Sequence, residues 1–311
     1  NNTEGRGRVY PESDFAVPRA DQEWSARMSD KVCSFPARPP AARLQKALMN
    51  DIEMQQYLFD LQGYLVVENV LTPAEVAALN ALLDQQNLPE TAKGNRFGAA
   101  PEGSGFLGWG QPFCDLLDHA ATMPVLRFRL GDCFRLDRLY GIHMSKGEGR
   151  GQLHSDYGTS SFTSGAQPGV HYRPPENELA NGFVVVAWSL ADTGPDHGGF
   201  CCIPGSHKSN FKMPQKIQDD LEAAPCVVIP PAPAGSVILF TESLTHSTAS
   251  WQGPHDRRSL LYKYCVSQIA WTNKRVQPPA GIDLTARQQI LFREPADPHR
   301  FFPSLFDEVE K

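Results

Sequence analysis

From Phe134 onward the chain is written in short apolar stretches broken by glycine and proline. Strand-like stretches fall at 134–144, 152–157, 183–190, 199–203, 226–229, 235–240 and 258–268. Many short strands at this spacing predict a sandwich or barrel. The N-terminal third reads differently. Residues 52–61 carry apolar positions at roughly helical spacing, and Gly63–Val70 reads as a strand. Thr72-Pro73-Ala74-Glu75 is a helix start: a capping threonine, a proline suited to the first turn, and a glutamate that closes a capping box. That helix is expected to run to about Gln86, burying Val76, Leu79, Leu82 and Leu83. A second helix is expected at 113–121 and a short one at 284–292.

The segments between these elements set the domain plan. Residues 1–48 are polar and rich in Pro and Arg without periodicity, and predict an arm that is extended or partly disordered. Residues 49–311 read as one domain, with its core at 55–270 followed by the C-terminal helix and a Pro-rich tail. The stretch 158–181 has no strand pattern, and a long loop inside a domain is commonly functional.

Composition narrows the classes. Of 311 residues, 41% are hydrophobic and 21% charged, as in a globular domain. The net charge of -6 argues against nucleic acid as a partner, which calls for a basic stripe. No apolar run approaches membrane-spanning length. The seven cysteines are odd in number and contain no C-x-x-C pair, so a reduced, intracellular, cytoplasmic setting is expected. The chain does not open on Met, so native residues, with any organelle-targeting segment, are expected to precede Asn1. A small-molecule substrate fits best, and nothing in the sequence fixes the oligomeric state.

Three separated fragments carry candidate chemistry. His154 and Asp156 are two apart, so on a strand their side chains share a face. Taken alone, such a triplet is more often a solvated loop pair. His246 follows the buried-strand pattern Gly235–Phe240 and adds a second imidazole. Two histidines and a carboxylate form the facial triad that holds non-haem Fe(II) with positions left open. Arg257 lies eleven positions beyond His246. A guanidinium there can clamp a carboxylate through two parallel hydrogen bonds, as a dicarboxylate co-substrate would require. Arg257 is expected to face inward and Arg258 outward. The remaining histidines lack such partners and are structural by default.

The order of these motifs resembles the phytanoyl-CoA dioxygenase family of Fe(II)/2-oxoglutarate oxygenases. The resemblance runs through Asp60–Val67, Leu71–Val76, His154-Ser155-Asp156, Val186–Leu190, Gly198-Gly199-Phe200 and Pro204–Lys208 to His246 and Arg257. It implies a mainly β fold with flanking helices, a cupin-like double-stranded β-helix or jelly roll. It implies that His154, Asp156 and His246 hold the metal, that Arg257 binds 2-oxoglutarate, and that Trp188 lies near that co-substrate. The reaction implied consumes O2, releases succinate and CO2, and hydroxylates an unactivated C–H bond of a secondary metabolite or acyl-type compound. Halogenases related to this family replace the metal carboxylate with a small residue, so Asp156 favours hydroxylation. Tyr140, His143, Tyr157, His171 and Arg173 are candidate substrate contacts. Two other readings stay open: a cupin-like metal enzyme that does not use 2-oxoglutarate, and a non-catalytic binding protein on the same fold.

Overall fold

In the computed structural model, residues 51–88, 95–100, 103–156, 182–209, 211–220, 224–271 and 273–307 are described. The expected arm at 1–48 and the expected loop at 158–181 lie outside them. So do Tyr157, His171 and Arg173.

Helix α1 (Ile52–Gln62) opens on Asp51, whose carboxylate accepts the amides of Glu53 and Met54. It closes on Gly63 at φ 82°, a left-handed cap that a side chain would strain. Strand β1 (Tyr64–Val67) follows. Helix α2 (Pro73–Asp84) has the expected capping box, with Thr72 and Glu75 each satisfying the other's backbone amide. The helix expected at 113–121 is not formed as such: α3 (Gln111–Cys114) ends near its start, residues 115–122 are mostly turn, and α4 (Met123–Leu130) begins beyond it. Each of these has a proline in its first turn, and Pro124 forces a fresh start at the second.

Eight strands build the rest. Strands β1, β2 (Arg96–Phe97), β3 (Phe134–Met144), β4 (Phe183–Ser189), β6 (Val237–Thr241) and β8 (Arg257–Val266) form one antiparallel sheet in the order β1-β6-β4-β8-β3-β2. Strands β5 (Gly199–Cys202) and β7 (His246–Ala249) pair in a second sheet. Single bridges extend that sheet through His154 to His246 and through Cys202 to Val228. The expected strands at 152–157 and 226–229 are thus reduced to these bridges. Short helices α5 (Gln215–Asp219) and α6 (Ala286–Ile290), with 3-10 turns at Gly105–Trp109 and Ser206–Lys208, complete the described elements. This antiparallel, sheet-rich architecture is the cupin-like jelly roll. No helix among the described residues is long and apolar enough to cross a membrane.

Strand β4 is buried on both faces, and its two faces do different work. Val184, Val186 and Trp188 join Leu260, Tyr262 and Tyr264 of β8 in the core beneath the helices. There the Tyr262 and Tyr264 hydroxyls donate to the Phe113 and Leu117 carbonyls, at 2.7 Å each. Val185 and Ala187 join Phe200, Ile238, Phe240 and Leu261 in the core between the sheets.

A bulge in β3 decides which side chains reach that interior. Leu136 pairs with Tyr264 and Arg138 with Lys263, so Asp137 is an extra residue opposite a single step of β8. Before the bulge Phe134 and Leu136 pack under the helices. After it the parity is reversed, and Arg138, Tyr140, Ile142 and Met144 face inward. Asp137 is held by Arg135 at 3.1 Å and by the Trp271 amide at 3.0 Å.

Candidate active site

The inner faces of the two sheets enclose a cavity of about 540 Å³. His154 and His246 meet there as a directly opposed antiparallel pair, each amide donating to the other's carbonyl at 3.0 and 2.7 Å. Their rings stand 4.6 Å apart, centroid to centroid. The Asp156 amide donates to the Glu242 carbonyl at 2.9 Å, which carries the third side chain to the same place.

Second contacts fix how each imidazole presents itself. The Nδ1 of His154 lies 2.8 Å from the Gln152 carbonyl, and the Nδ1 of His246 lies 2.8 Å from the Leu244 carbonyl. A carbonyl only accepts, so each Nδ1 carries the hydrogen and each Nε2 keeps a free lone pair. One donor atom from each of His154, Asp156 and His246 lies within 4.8 Å of the others. Two neutral imidazoles and one carboxylate, so oriented, fit a divalent transition metal.

The electrostatics favour the metal-binding protonation states. Burial, and then the neighbouring His154, push His246 down to about 3. Burial would raise Asp156, but its hydrogen bond with Glu242 and the charge of Lys263 hold it well below the usual carboxylate range. Glu242 carries the opposite burden: burial lifts it to about 8 despite Lys263. Lys263 Nζ stands 2.6 Å from Glu242 and 3.2 Å from Asp156, and is held above the usual lysine range by Glu242 against its own desolvation.

Arg257, at the start of β8, faces the same cavity and is buried. Its Nη1 donates to Thr248 Oγ1 at 3.1 Å and lies 3.4 Å from Met144 Sδ. No carboxylate pairs with it among the described residues, and burial lowers it to about 10. Arg258, its neighbour, faces the other way and pairs with Asp84 at 2.6 Å.

Two expected contacts are corrected. Trp188 does not line the cavity. It is fully buried on the helix side of β4, edge-on to His119 at 5.2 Å, while its neighbours Ala187 and Ser189 line the cavity. His143 sits outside the cavity for the same reason of strand parity: it pairs with Asp256 at 3.1 Å, while Ile142 and Met144 face inward. Tyr140 lines the cavity. Lys263, Arg138, Arg96 and Arg150 line the cavity and were missed by the sequence reading, as was Glu242 behind its wall. A signal for Lys263 existed: it is the one charge inside the apolar run Leu260–Val266, and it shares parity with Arg257.

The profile of the phytanoyl-CoA dioxygenase (PhyH) family matches residues 59–259. The chain belongs to this family of iron- and 2-oxoglutarate-dependent oxygenases. Among solved structures it resembles HygX from Streptomyces hygroscopicus. The form with nickel and 2-oxoglutarate bound has 22% identity and a TM-score of 0.57, covering 70% of this chain and 87% of that one. The form with nickel, 2-oxoglutarate and hygromycin B bound has the same identity and TM-score, covering 74% and 96%. At this identity the likeness speaks for the fold. Among curated proteins none matches the chain.

Proposed function

We propose that the chain is a non-haem Fe(II)- and 2-oxoglutarate-dependent dioxygenase that hydroxylates an unactivated C–H bond of a small organic substrate. The observation that carries this is Arg257, a buried guanidinium with no carboxylate partner among the described residues, in the same cavity as the His154–Asp156–His246 cluster. Burying an unpaired charge is costly. A dicarboxylate that enters the cavity offsets that cost. HygX, which shares the fold, holds 2-oxoglutarate with a metal and takes hygromycin B, which supports both the cofactor pair and a small-molecule substrate.

His154, Asp156 and His246 would hold the iron, with both imidazoles anchored through Nδ1. Arg257, braced by Thr248, would receive the far carboxylate of 2-oxoglutarate. When bound, the iron and 2-oxoglutarate supply the oxidising chemistry from O2, with succinate and CO2 as co-products. The protein fixes positions and lines the site with Phe200, Phe240, Ile238 and Leu261, which limit water. The retained Asp156 supports hydroxylation as the outcome.

The test is an anaerobic titration of the metal-free protein with Fe(II) and 2-oxoglutarate, following the visible charge-transfer band of the chelate. The expected band forms in the native protein and needs far more 2-oxoglutarate in Arg257→Gln. Iron binding without a band would point to a metal enzyme that does not use 2-oxoglutarate. Absence of iron binding would point to a non-catalytic binding protein.

A further inference from the structure

The described lining of the cavity holds more positive charge than the proposed cofactors use. Among the described residues Arg96, Arg138, Arg150, Arg257 and Lys263 line it, against the single carboxylate of Asp156. Two further acids, Glu242 and Asp137, stand behind the wall. Lys263 is matched by Glu242 and Asp156, and Asp137 is shared between Arg135 and Arg138. An Fe(II) ion and a 2-oxoglutarate dianion bring equal and opposite charges, so their arrival leaves the excess in place.

That excess is concentrated at Arg138 and Arg96. The Nε and Nη2 of Arg138 are buried and have no hydrogen-bond acceptor. Asp137 and Glu242 reach the guanidinium only at 3.3 and 3.7 Å. Arg96 forms no ion pair among the described residues. Both guanidiniums lie on aromatic rings: Arg138 Cζ is 3.8 Å from the centre of the Trp271 ring, and Arg96 Cζ is 4.4 Å from that of Tyr140. Such packing fixes the plane of the guanidinium and leaves its edge N–H groups for a planar oxyanion. Arg138 and Tyr140 share the inward face of β3 because of the bulge, which brings the two stacked pairs onto one wall.

The Arg138 end of this wall is far from Arg257, while Arg96 enters opposite Ile142 and reaches over Tyr140. Arg257 pairs across the sheet with Met144, and Arg138 with Lys263, six residues along β8, or roughly 20 Å. A carboxylate at Arg138 therefore occupies a different place from the one proposed for 2-oxoglutarate. Tyr140, Ile142 and Leu261 lie between the two ends and offer an apolar surface.

We propose that the substrate is an organic acid whose carboxylate is received by Arg138 and Arg96 while its apolar body crosses Ile142 and Leu261. This rests on the oxygenase reading and names the substrate class of that site.

The experiment measures calorimetric binding of phenylacetate, phenylacetamide and benzyl phosphate to the full chain, metal-free and again with Ni(II) and saturating 2-oxoglutarate. Phenylacetate is expected to bind in both states, at least tenfold tighter than its neutral amide. Arg96→Gln and Arg138→Gln are each expected to weaken it at least tenfold, with Arg257→Gln leaving it unchanged. Equal binding of the amide would overturn the proposal, as would no binding of phenylacetate at millimolar concentration, or loss of binding in Arg257→Gln alone. Tighter binding of benzyl phosphate would replace the carboxylate with a phosphate ester. The amide comparison needs no variant, and Arg96 is exposed, so the test survives misfolding of Arg138→Gln. The metal-free arm separates the two readings. Acid binding through Arg138 without a charge-transfer band would remove the oxygenase reading, while a band without acid binding would remove the substrate class.

Discussion

Lys263 Nζ stands 3.2 Å from the Asp156 carboxylate and 2.6 Å from that of Glu242, with Lys263 and Glu242 both buried. The lysine thus offsets the cost of placing two acids side by side in a dry interior. Lys263→Met, measured above pH 8 where Glu242 is ionised, is expected to leave Glu242 buried without its cation and to cost about 3–5 kcal/mol. Adding Glu242→Gln should recover part of that loss, because both ends of the buried pair are then neutral. Urea unfolding of the two single variants and the double variant checks this. Strict additivity would show that the pair is not coupled.

Glu242 and His246 of the site, with His207 held on the Asp60 carbonyl outside it, set an expected pH profile for the metal-free protein. His246, at about 3, and His207, at about 4, lie below the ordinary histidine value of 6.5, so the unfolded chain binds their protons more readily. Their stabilisation is present above pH 6.5 and is lost as pH falls towards 4 and 3. Glu242 has the opposite sign: raised from 4.5 to about 8, it favours the folded state at low pH and loses that contribution as pH rises to 8. These two histidines, with His119 lowered by burial in the same direction, outweigh one glutamate between 4.5 and 6.5, and above 6.5 only the glutamate acts. Stability should therefore peak near pH 6.5. Denaturant titrations across pH 4–8 test this, and Glu242→Gln should abolish the alkaline decline.

Much of the architecture was legible because it rests on local chemistry. The Thr72–Glu75 capping box needs only four residues, and the apolar runs of β3, β4, β6 and β8 have their expected places. The His154–Asp156–His246 grouping was suggested by the order of several motifs together, since the His154–Asp156 spacing alone is weak and its expected strand is reduced to a bridge. What was hidden depends on parity counted through an irregularity or across strands. The extra residue Asp137 turns Arg138 inward, and no sequence pattern announces it. Trp188 was placed by resemblance, but its strand is apolar on both faces, so alternation could not say which core it joins. Strand β7 was missed because His246-Ser247-Thr248-Ala249 is short and polar, and its pairing with Gly199–Cys202 supplies what its own sequence lacks.

The position of Trp188 separates packing from binding. It fills the core beneath the helices, beside His119, with no face on the cavity. Trp188→Phe is expected to lower stability by roughly 1–3 kcal/mol through lost contact area. Its affinity for 2-oxoglutarate should match that of the native protein. Thermal unfolding and the anaerobic charge-transfer titration, run on the same preparation, would reveal a co-substrate role as a shift in the second measurement.

Thr248 is the complementary case, a residue expected to act on binding. Its hydroxyl accepts a hydrogen bond from Arg257 Nη1 at 3.1 Å, the one hydrogen bond from that guanidinium to an oxygen among the described residues. Thr248→Val keeps the shape and removes the acceptor. The guanidinium then has no fixed orientation towards an incoming carboxylate and is left less satisfied in a buried site. A hydrogen bond to a charged group contributes roughly 1–2 kcal/mol, so 2-oxoglutarate binding should weaken by about 5- to 30-fold. The loss should fall on KM for 2-oxoglutarate with kcat little changed, since Thr248 would brace the group that binds the far carboxylate and would not touch the reacting end. Equal losses in kcat and in kcat/KM would place Thr248 at the chemistry instead.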